Sequence, residues 1–138
     1  MSSMRTFLMS LDEIQPSQLF ISSEKLAEVT NSFDQESIDP IPVIRLGEQI
    51  VFTDGHTRAL AAFLNGLLEV PVYWDEDDLD LETYAICVDW CEEEGIRTIA
   101  DLKDRLLPPD KYQLLWIDRC TAMLRQLEHS RGHRDCDR

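Results

Sequence analysis

The sequence predicts an α+β fold, in which a small mixed sheet with helices is followed by a C-terminal helical extension. Residues 1–78 alternate strand-like runs with stretches of helical periodicity, whereas residues 79–128 show helical periodicity alone. With 138 residues, of which 43% are hydrophobic, the chain can bury one core without disulfides or metals. We therefore expect a domain over residues 1–78, a helical extension over 79–128 packed on it, and a disordered tail over 129–138.

The first elements follow from turn residues and serine caps. Residues 1–10 are expected to form a leader or a short strand, and residues 11–21 an extended segment with a turn. A helix begins at Ser22 or Ser23, because a serine hydroxyl can accept a hydrogen bond from a first-turn N–H group. The helix ends before the proline-rich run at residues 39–42.

A β-hairpin and a second helix form the centre of the predicted domain. Two runs of strand-forming residues, 43–46 and 49–52, flank Gly47-Glu48. The helix that follows ends near Asn65-Gly66, and a strand is expected at Val70–Trp74, where Pro71 favours an edge position or a strand start. The predicted apolar face of this helix consists of Leu60, Phe63, Leu64 and Leu67.

The helical extension begins after an acidic run, Asp75–Asp80, which we interpret as a solvated linker. Its first helix ends near Gly95, and Thr98 with Asp101 three residues later is typical of a capped short helix. A last helix begins at Asp110 or at the two prolines before it. The apolar residues of these helices are Tyr84, Cys87, Val88 and Cys91 in the first, and Tyr112, Leu115, Trp116, Met123 and Leu127 in the last.

The four cysteines suit core packing better than a metal or redox site. Cys87 and Cys91 share the apolar stripe of one helix, and free cysteine is among the most buried residue types. Adding Cys120 still leaves a structural zinc site one ligand short. We expect the cysteines to be reduced and to hold no metal.

Charge excludes several classes of partner. The formal net charge is −14, and no basic groove offsets it, so we expect neither DNA nor RNA as a partner. No segment is typical of a membrane span or a secretory signal, so we expect no membrane association and a cytoplasmic location. A second copy of the chain, or another protein, is the partner expected for the helical extension.

The run Thr53-Asp54-Gly55-His56-Thr57-Arg58 joins a buried strand to a helix and is the candidate site. The first N–H groups of a helix lack intrahelical acceptors, and they carry the positive end of the helix dipole. Such a turn suits an anion, for example a phosphate group. The sequence therefore predicts binding of a nucleotide or a small phosphorylated ligand by Gly55, His56, Thr57 and Arg58.

Each side chain of this turn has two open interpretations. Asp54 either orients a substrate or Mg²⁺, or accepts a hydrogen bond as a helix cap. His56 either contacts phosphate and moves a proton, or is an exposed turn residue. Thr57 supplies a hydroxyl for phosphate or a second cap. Arg58 either binds phosphate through two hydrogen bonds or pairs with the acidic run. We take Asp54 and His56 as the candidate catalytic residues.

The order of these segments resembles the ParB/sulfiredoxin superfamily over roughly residues 8–75. Sulfiredoxins carry a reactive cysteine directly after the glycine, where this chain has His56, so sulfinic-acid reduction by that route is excluded. Partition proteins have Gly-Glu-Arg-Arg and a helix-turn-helix domain, neither of which is present here. The segments that carry the resemblance are Ile14-Gln15-Pro16-Ser17, Glu24 to Phe33, Ile41-Pro42-Val43-Ile44, and Gly55 to Ala62.

Among the variants of this motif, Asp54–Arg58 is most similar to the Asp-Gly-His-His-Arg of ADP-dependent free-serine kinases. That resemblance implies nucleotide phosphates at the turn, with ADP or ATP and Mg²⁺ as cofactor. The kinases also place a glutamate base after the early proline, where this chain has Ser17-Gln18, with Glu24 as the nearest glutamate downstream. Three hypotheses remain: a small phosphotransferase, a nucleotide-responsive binding module without chemistry, and an interaction protein that reuses the scaffold.

Overall fold

The structure, a computed structural model, describes residues 5–136 of the chain, and side chains as far as Arg131. A five-stranded mixed sheet with the strand order β1-β6-β4-β5-β2 forms its centre. Antiparallel pairs join β1 to β6 and β4 to β5, and parallel pairs join β4 to β6 and β2 to β5. The strands are β1 (Thr6–Ser10), β2 (Ile14–Gln15), β3 (Ile21–Ser22), β4 (Ile41–Leu46), β5 (Gln49–Phe52), β6 (Glu69–Trp74) and β7 (Leu106–Leu107).

Five α-helices complete the fold, so the predicted α+β class with a C-terminal helical extension is confirmed. Short 3₁₀ turns occur at Leu11–Glu13 and Ile99–Leu102, and a π-helical segment, Gln113–Ile117, joins the last two helices. The helices are α1 (Ser23–Asn31), α2 (His56–Leu64), α3 (Leu81–Glu93), α4 (Pro109–Tyr112) and α5 (Asp118–Cys136).

Side-chain caps begin α1 and α3; the serine cap of α1 was predicted, whereas Asp80 was expected only as part of a solvated linker. The Ser22 hydroxyl accepts from the Lys25 N–H and begins α1, and the Asp80 carboxylate accepts from the Thr83 N–H and begins α3. The Asp101 carboxylate accepts from the backbone N–H of Thr98 at the turn that precedes β7. The β4–β5 hairpin, with Gly47 at φ 63°, is also confirmed.

The buried face of α2 contains most of the predicted apolar residues and extends beyond them. Leu60 is fully buried, and Phe63 and Leu67 are partly buried against the core, but Leu64 is 52% exposed. His56 and three alanines are also buried. An alanine side chain lets a helix approach closely, so α2 lies against the core through Ala59, Ala61 and Ala62. The apolar spacing therefore predicted the positions of Leu60, Phe63 and Leu67 and misplaced only Leu64.

Pro71 lies in an interior strand, not at the predicted edge, because β6 is paired on both sides, with β1 and β4. The parallel pairing with β4 begins only at Val72, one residue after the proline. Pro71 faces only Leu8 of β1, so its missing N–H removes nothing from the β4 ladder.

The helical extension contributes a strand that the sequence did not predict. In β7, Leu106 pairs with Ile21 and Leu107 pairs with Ser22, which forms a separate two-stranded parallel sheet. Buried residues of the two parts also share one core, in which Ile96, Ile99 and Leu102 join the sheet residues. The division at residue 78 remains a prediction, and the contacts connect both sides of it.

The C-terminal helix α5 overlaps the tail for which the sequence predicts disorder, residues 129–138, and that disorder remains a prediction. Helix α5 continues to Cys136, and residues 137–138 of the predicted tail lie outside the described residues. Arg131 of α5 forms ion pairs with Asp80 at 2.9 Å and with Glu82 at 2.8 Å. These contacts connect the C-terminal part of α5 to the start of α3. Across the described part of the chain, no helix is both long and apolar enough to span a membrane.

Candidate functional site

Gly55 forms the turn between β5 and α2. It is the N-cap of α2 with φ 77° and ψ 19°, a left-handed conformation that glycine adopts without strain. A Cβ at this position would lie 3.0 Å from Cγ2 of Ile41 and 3.5 Å from Nη1 of Arg58. No side chain caps the first turn of α2, so its N–H groups remain available to an anion.

Arg58 lies beside this turn and is held by backbone carbonyls rather than by carboxylates. Its Nη1 donates to the carbonyl oxygen of Pro40 at 3.0 Å and to that of Asp39 at 3.4 Å. The predicted alternative, an ion pair with the acidic run at 75–80, is not formed, and Arg58 has no ion pair within the described part of the chain. Its charge is therefore uncompensated by any neighbouring carboxylate contact.

Arg58 also lines a cavity of about 270 Å³ between α1, the loop that follows it and the start of α2. The loop residues Asp34 and Asp39 border the same cavity. The backbone N–H of Glu36 donates to Oδ1 of Asp34 at 3.0 Å, which fixes the loop on this side. The remaining lining residues are Val29, Ser32, Phe33, Ser37 and Ile38.

His56 is buried, in contrast to the exposed turn residue that was one of its two interpretations. It is 4% exposed, packs on Phe52 with ring centroids 5.3 Å apart, and its Nε2 accepts from the Ser17 N–H at 3.0 Å. Burial lowers the pKa of His56 to about 4, which outweighs the opposing effect of the Asp54 charge. The ring is therefore neutral near pH 7, with its proton on Nδ1.

Asp54 is exposed at the same turn. Its Oδ1 accepts from the Gly55 N–H at 2.8 Å, so it does not cap α2, and Gly55 itself is the N-cap residue. Thr57, in the first turn of α2, is half-buried. The structure thus brings together all five predicted site residues, but it places Asp54 at the surface and His56 in the core.

Two tyrosines from the helical extension lie near Asp54, and no sequence pattern marked either of them as a site residue. The Tyr84 hydroxyl of α3 donates to the Thr53 carbonyl at 3.2 Å, and Tyr112 at the end of α4 accepts from Gln18 Nε2 at 3.0 Å. Burial and neighbouring negative charges, including that of Asp54, raise the pKa of both tyrosines. Both residues lie on apolar helix stripes, so their positions suggested only core packing.

Asp75, the first residue of the acidic run, belongs to the same region. Its Oδ2 accepts from the Thr53 hydroxyl at 2.8 Å and its Oδ1 from the Asp77 N–H at 3.0 Å. The described side chains contain no group of three or more histidine, cysteine, aspartate or glutamate residues placed to hold a metal ion. A divalent cation would therefore need ligand oxygens of its own, as it has when bound to a nucleotide.

Comparisons with known proteins identify the fold and not the function. No family model matches the chain, and no curated protein matches it. Among solved structures, protein Atu1540 from Agrobacterium tumefaciens has a TM-score of 0.51 and 13% identity, with 75% of this chain and 64% of that chain covered. This similarity supports the predicted α+β fold at the level of architecture.

Two further structures overlap less well. SbnI from Staphylococcus aureus, solved with a C-terminal truncation, has a TM-score of 0.46 and 20% identity, covering 52% of this chain and 31% of that one. The chromosome-partitioning protein ParB from Caulobacter crescentus, truncated at its C-terminus and complexed with CTP-γ-S, has a TM-score of 0.46 and 22% identity, covering 66% and 53%. The chain thus spans less than two thirds of the length of each of these three structures.

Proposed function

We propose that the protein binds the phosphate groups of a nucleotide, or of a small phosphorylated ligand, at the N-terminus of α2. The observation that carries the proposal is Arg58, a half-buried cation with no carboxylate partner in the described structure. It lies next to a helix start whose N–H groups no side chain caps, and it borders a cavity. In a chain of net charge −14, an arginine left without an anionic partner at such a place is suited to an anionic ligand.

The Arg58 guanidinium has further hydrogen-bond donors that are available to a phosphate. It carries five N–H donors, and the two hydrogen bonds to the carbonyls of Asp39 and Pro40 both start from Nη1. Nη2 and Nε therefore remain for the paired contacts that arginine makes with phosphate oxygens. Backbone carbonyls hold the side chain without neutralising it, so its orientation is set before the ligand binds.

The nucleotide we propose is ADP or ATP with Mg²⁺. Phe33 borders the cavity and would supply an apolar contact for a base, and the polar loop residues Ser37 and Asp39 would supply groups for ribose hydroxyls. Mg²⁺ would arrive bound to the nucleotide phosphates, which supply ligand oxygens for it. Thr57 adds a hydroxyl on the first turn of the helix.

As a catalyst, the protein would transfer a phosphoryl group between the nucleotide and a small alcohol. Phosphoryl transfer depends mainly on positioning and charge neutralisation, which Arg58 and the helix start supply. Asp54 is our candidate base for the acceptor hydroxyl. His56 is neutral, and its Nε2 is occupied by the Ser17 N–H, so we assign it a positioning role instead of proton transfer.

A specific observation favours the second hypothesis, a binding module without chemistry. Glu24, the nearest glutamate after the early proline, is exposed in the first turn of α1 and forms no hydrogen bond or ion pair in the described structure. Gln18 follows Ser17, whose N–H donates to His56 at the turn, but its side chain is an amide that donates to Tyr112 and is not basic. If Asp54 does not act as a base, the site binds its ligand and performs no reaction.

Thermal shift with ADP, ATP and other phosphorylated ligands, with and without Mg²⁺, tests the binding proposal. A ligand at ~100 times its dissociation constant adds about 2.7 kcal/mol of stability. We expect Arg58→Ala to lose most of that effect. The matched control is Arg125→Ala, which removes an equal charge from an exposed α5 residue that makes no contact with the site. Equal shifts in wild type and Arg58→Ala would place the ligand elsewhere.

Turnover separates the enzyme from the binding module. Nucleotide-dependent phosphorylation of serine and related small alcohols is followed by mass spectrometry in the wild type and in Asp54→Asn. A general base contributes about 10²–10⁴-fold, so we expect the variant to lose that factor while it still binds nucleotide. Binding without turnover in the wild type assigns the module function, and turnover unaffected by Asp54→Asn removes Asp54 from the chemistry.

A further inference from the structure

Strand β1, Thr6–Ser10, forms one edge of the five-stranded sheet and pairs only with β6 in the described part of the chain. The strand contains no proline and no charged residue, and its Leu8 side chain is 65% exposed. An unpaired strand edge can hydrogen-bond to another extended chain, and proteins commonly prevent this with charged residues or proline on the edge. This edge of the sheet has neither protection.

The hydrogen-bond pattern shows which backbone groups of this edge point outward. Just after β1, the Leu11 N–H donates to the Leu68 carbonyl at 2.9 Å, and residues of antiparallel strands alternate between hydrogen-bonded and non-hydrogen-bonded pairs. Counted back along the register of β1 and β6, the N–H groups of Thr6, Leu8 and Ser10 therefore point away from β6, as do the carbonyls of Thr6 and Leu8. No backbone hydrogen bond within residues 5–136 involves these outward groups.

Leu8 lies at the centre of this outward pattern. Phe7 and Met9 pack against the core, and successive side chains of a strand point to opposite faces, so Leu8 lies on the other face of the sheet, paired with Pro71 of β6. A second strand paired with the outer edge of β1 would place a side chain directly beside Leu8, and apolar cross-strand pairs stabilise a sheet. The edge is therefore suited to a partner strand with an apolar residue at its centre.

Charges at the two ends of β1 favour a second copy of this chain as the partner. Arg5 precedes the strand, Asp12 and Glu13 follow it, and these three exposed residues form no ion pair in the described part of the molecule. Antiparallel pairing of two copies places the positive start of each strand beside the acidic end of the other, whereas parallel pairing would bring like charges together. Because each copy has a net charge of −14, much of its remaining surface repels a second copy, and this uncharged edge with complementary ends does not.

We propose that two copies of the chain pair antiparallel through β1 and join their sheets into one continuous sheet. In this register, each Leu8 N–H donates to the Leu8 carbonyl of the other copy, and each Ser10 N–H donates to the Thr6 carbonyl of the other copy. The two Leu8 side chains meet on one face of the joined sheet. The contact uses the same surface on both copies, so it closes at a dimer. Residues 54–58, the nucleotide site proposed above, lie outside this edge.

Sedimentation equilibrium of the full-length protein over a range of concentrations tests the proposal. We expect the wild type to show a monomer–dimer equilibrium. Leu8→Lys should raise the dimer dissociation constant by about tenfold or more, because it places two like charges directly opposite each other. The matched control is Leu114→Lys, the same substitution at a leucine that is 64% exposed in the helical extension, and it should leave the equilibrium unchanged. A wild type that stays monomeric, or a dimer that is lost in Leu114→Lys and kept in Leu8→Lys, would overturn the proposal.

A disulfide tests the register independently. In Leu8→Cys, the two substituted residues would lie directly opposite each other in a hydrogen-bonded pair, with Cα atoms about 5.5 Å apart, a separation that a disulfide spans. After mild oxidation with copper–phenanthroline and digestion with trypsin, we expect mass spectrometry to find two copies of the peptide 6–25 linked to each other. The wild type has no cysteine in this peptide and cannot give that product. If Leu8→Cys forms dimers by sedimentation but yields no such link, the proposed register is wrong.

Discussion

Two side chains in the first turn of α2 have opposite environments although they are two residues apart. His56 packs against Phe52 inside the core, and Arg58 reaches the carbonyls of the loop before β4. A neutral imidazole accepts one backbone N–H where a charged one could not, so the Ser17 hydrogen bond depends on the protonation state of His56. This ties the geometry of the turn at Gly55 to pH.

The depressed pKa of His56 predicts a loss of stability in mild acid. The unfolded chain binds the proton near pH 6.5 and the folded chain only near pH 4, so the His56 contribution is complete above pH 6.5 and is lost as pH falls toward 4. The loss amounts to about 3 kcal/mol at most, from the usual energy per pKa unit. Urea unfolding at several pH values measures it.

The control for this prediction is His56→Gln, whose side-chain oxygen can still accept from the Ser17 N–H but cannot become protonated. We expect its free energy of unfolding to vary less between pH 6.5 and 4 than that of the wild type. If both proteins lose the same stability over this interval, other groups cause the acid sensitivity and the assignment to His56 is wrong.

At the scale of elements, side-chain contacts of Arg105 connect the helical extension to the segment before α1. Its Nε donates to the Leu19 carbonyl at 2.7 Å, and its guanidinium lies 4.7 Å from the centre of the Phe20 ring. The next two residues form β7 and pair with β3. The ion pair of Arg105 with Glu94, at 3.4 Å and half exposed, adds little. The hydrogen bond and the ring contact therefore dominate.

We expect Arg105→Ala to destabilise the protein by about 1–3 kcal/mol. The substitution leaves the partly buried Leu19 carbonyl without this donor and removes the cation–ring contact. Denaturant unfolding measures the effect. Arg97→Ala, in the same connecting region but with an exposed side chain that forms no hydrogen bond or ion pair, should change stability by no more than about 0.5 kcal/mol. If the two substitutions lower the free energy of unfolding equally, the contacts of Arg105 do not have the stabilising role assigned to them.

At the scale of the whole molecule, the sheet and the helical extension share a core and should unfold together. Besides the β3–β7 pair, Tyr112 of α4 bonds Gln18, and Gln15 Nε2 donates to the Ile96 carbonyl at 2.9 Å. Each of these contacts crosses the predicted boundary at residue 78. Breaking the extension away would expose buried residues of the sheet domain, so neither part gains from unfolding alone.

The positions of the tryptophans allow the unfolding of the sheet and of the helical extension to be compared within one protein. In the double variant Trp90→Phe and Trp116→Phe, fluorescence reports only on Trp74 at the end of β6, whereas far-ultraviolet circular dichroism reports mainly on helices. We expect both signals to give the same urea midpoint. Separate midpoints would instead show that residues 1–78 and 79–128 are independent units.

Features that act over a few neighbouring residues determined much of the local structure of this protein, so the sequence alone predicted them. The cap at Ser22, the glycine that begins α2 and the stripe of Cys87, Val88 and Cys91 all act over a few residues, so they could be predicted directly from the sequence. The α+β class and the turn at Gly55 were confirmed for the same reason. The grouping of the five candidate site residues, 54–58, also follows from their adjacency in the chain.

Only the tertiary structure decided which surfaces meet. Residues distant in sequence buried His56, supplied the carbonyls that hold Arg58 and paired β7 with β3. Periodicity reports that a face is apolar and not what covers it, so Leu64 was placed in the core although it is 52% exposed. Burial and side-chain partners depend on long-range packing, and no local pattern in a single sequence contains that information.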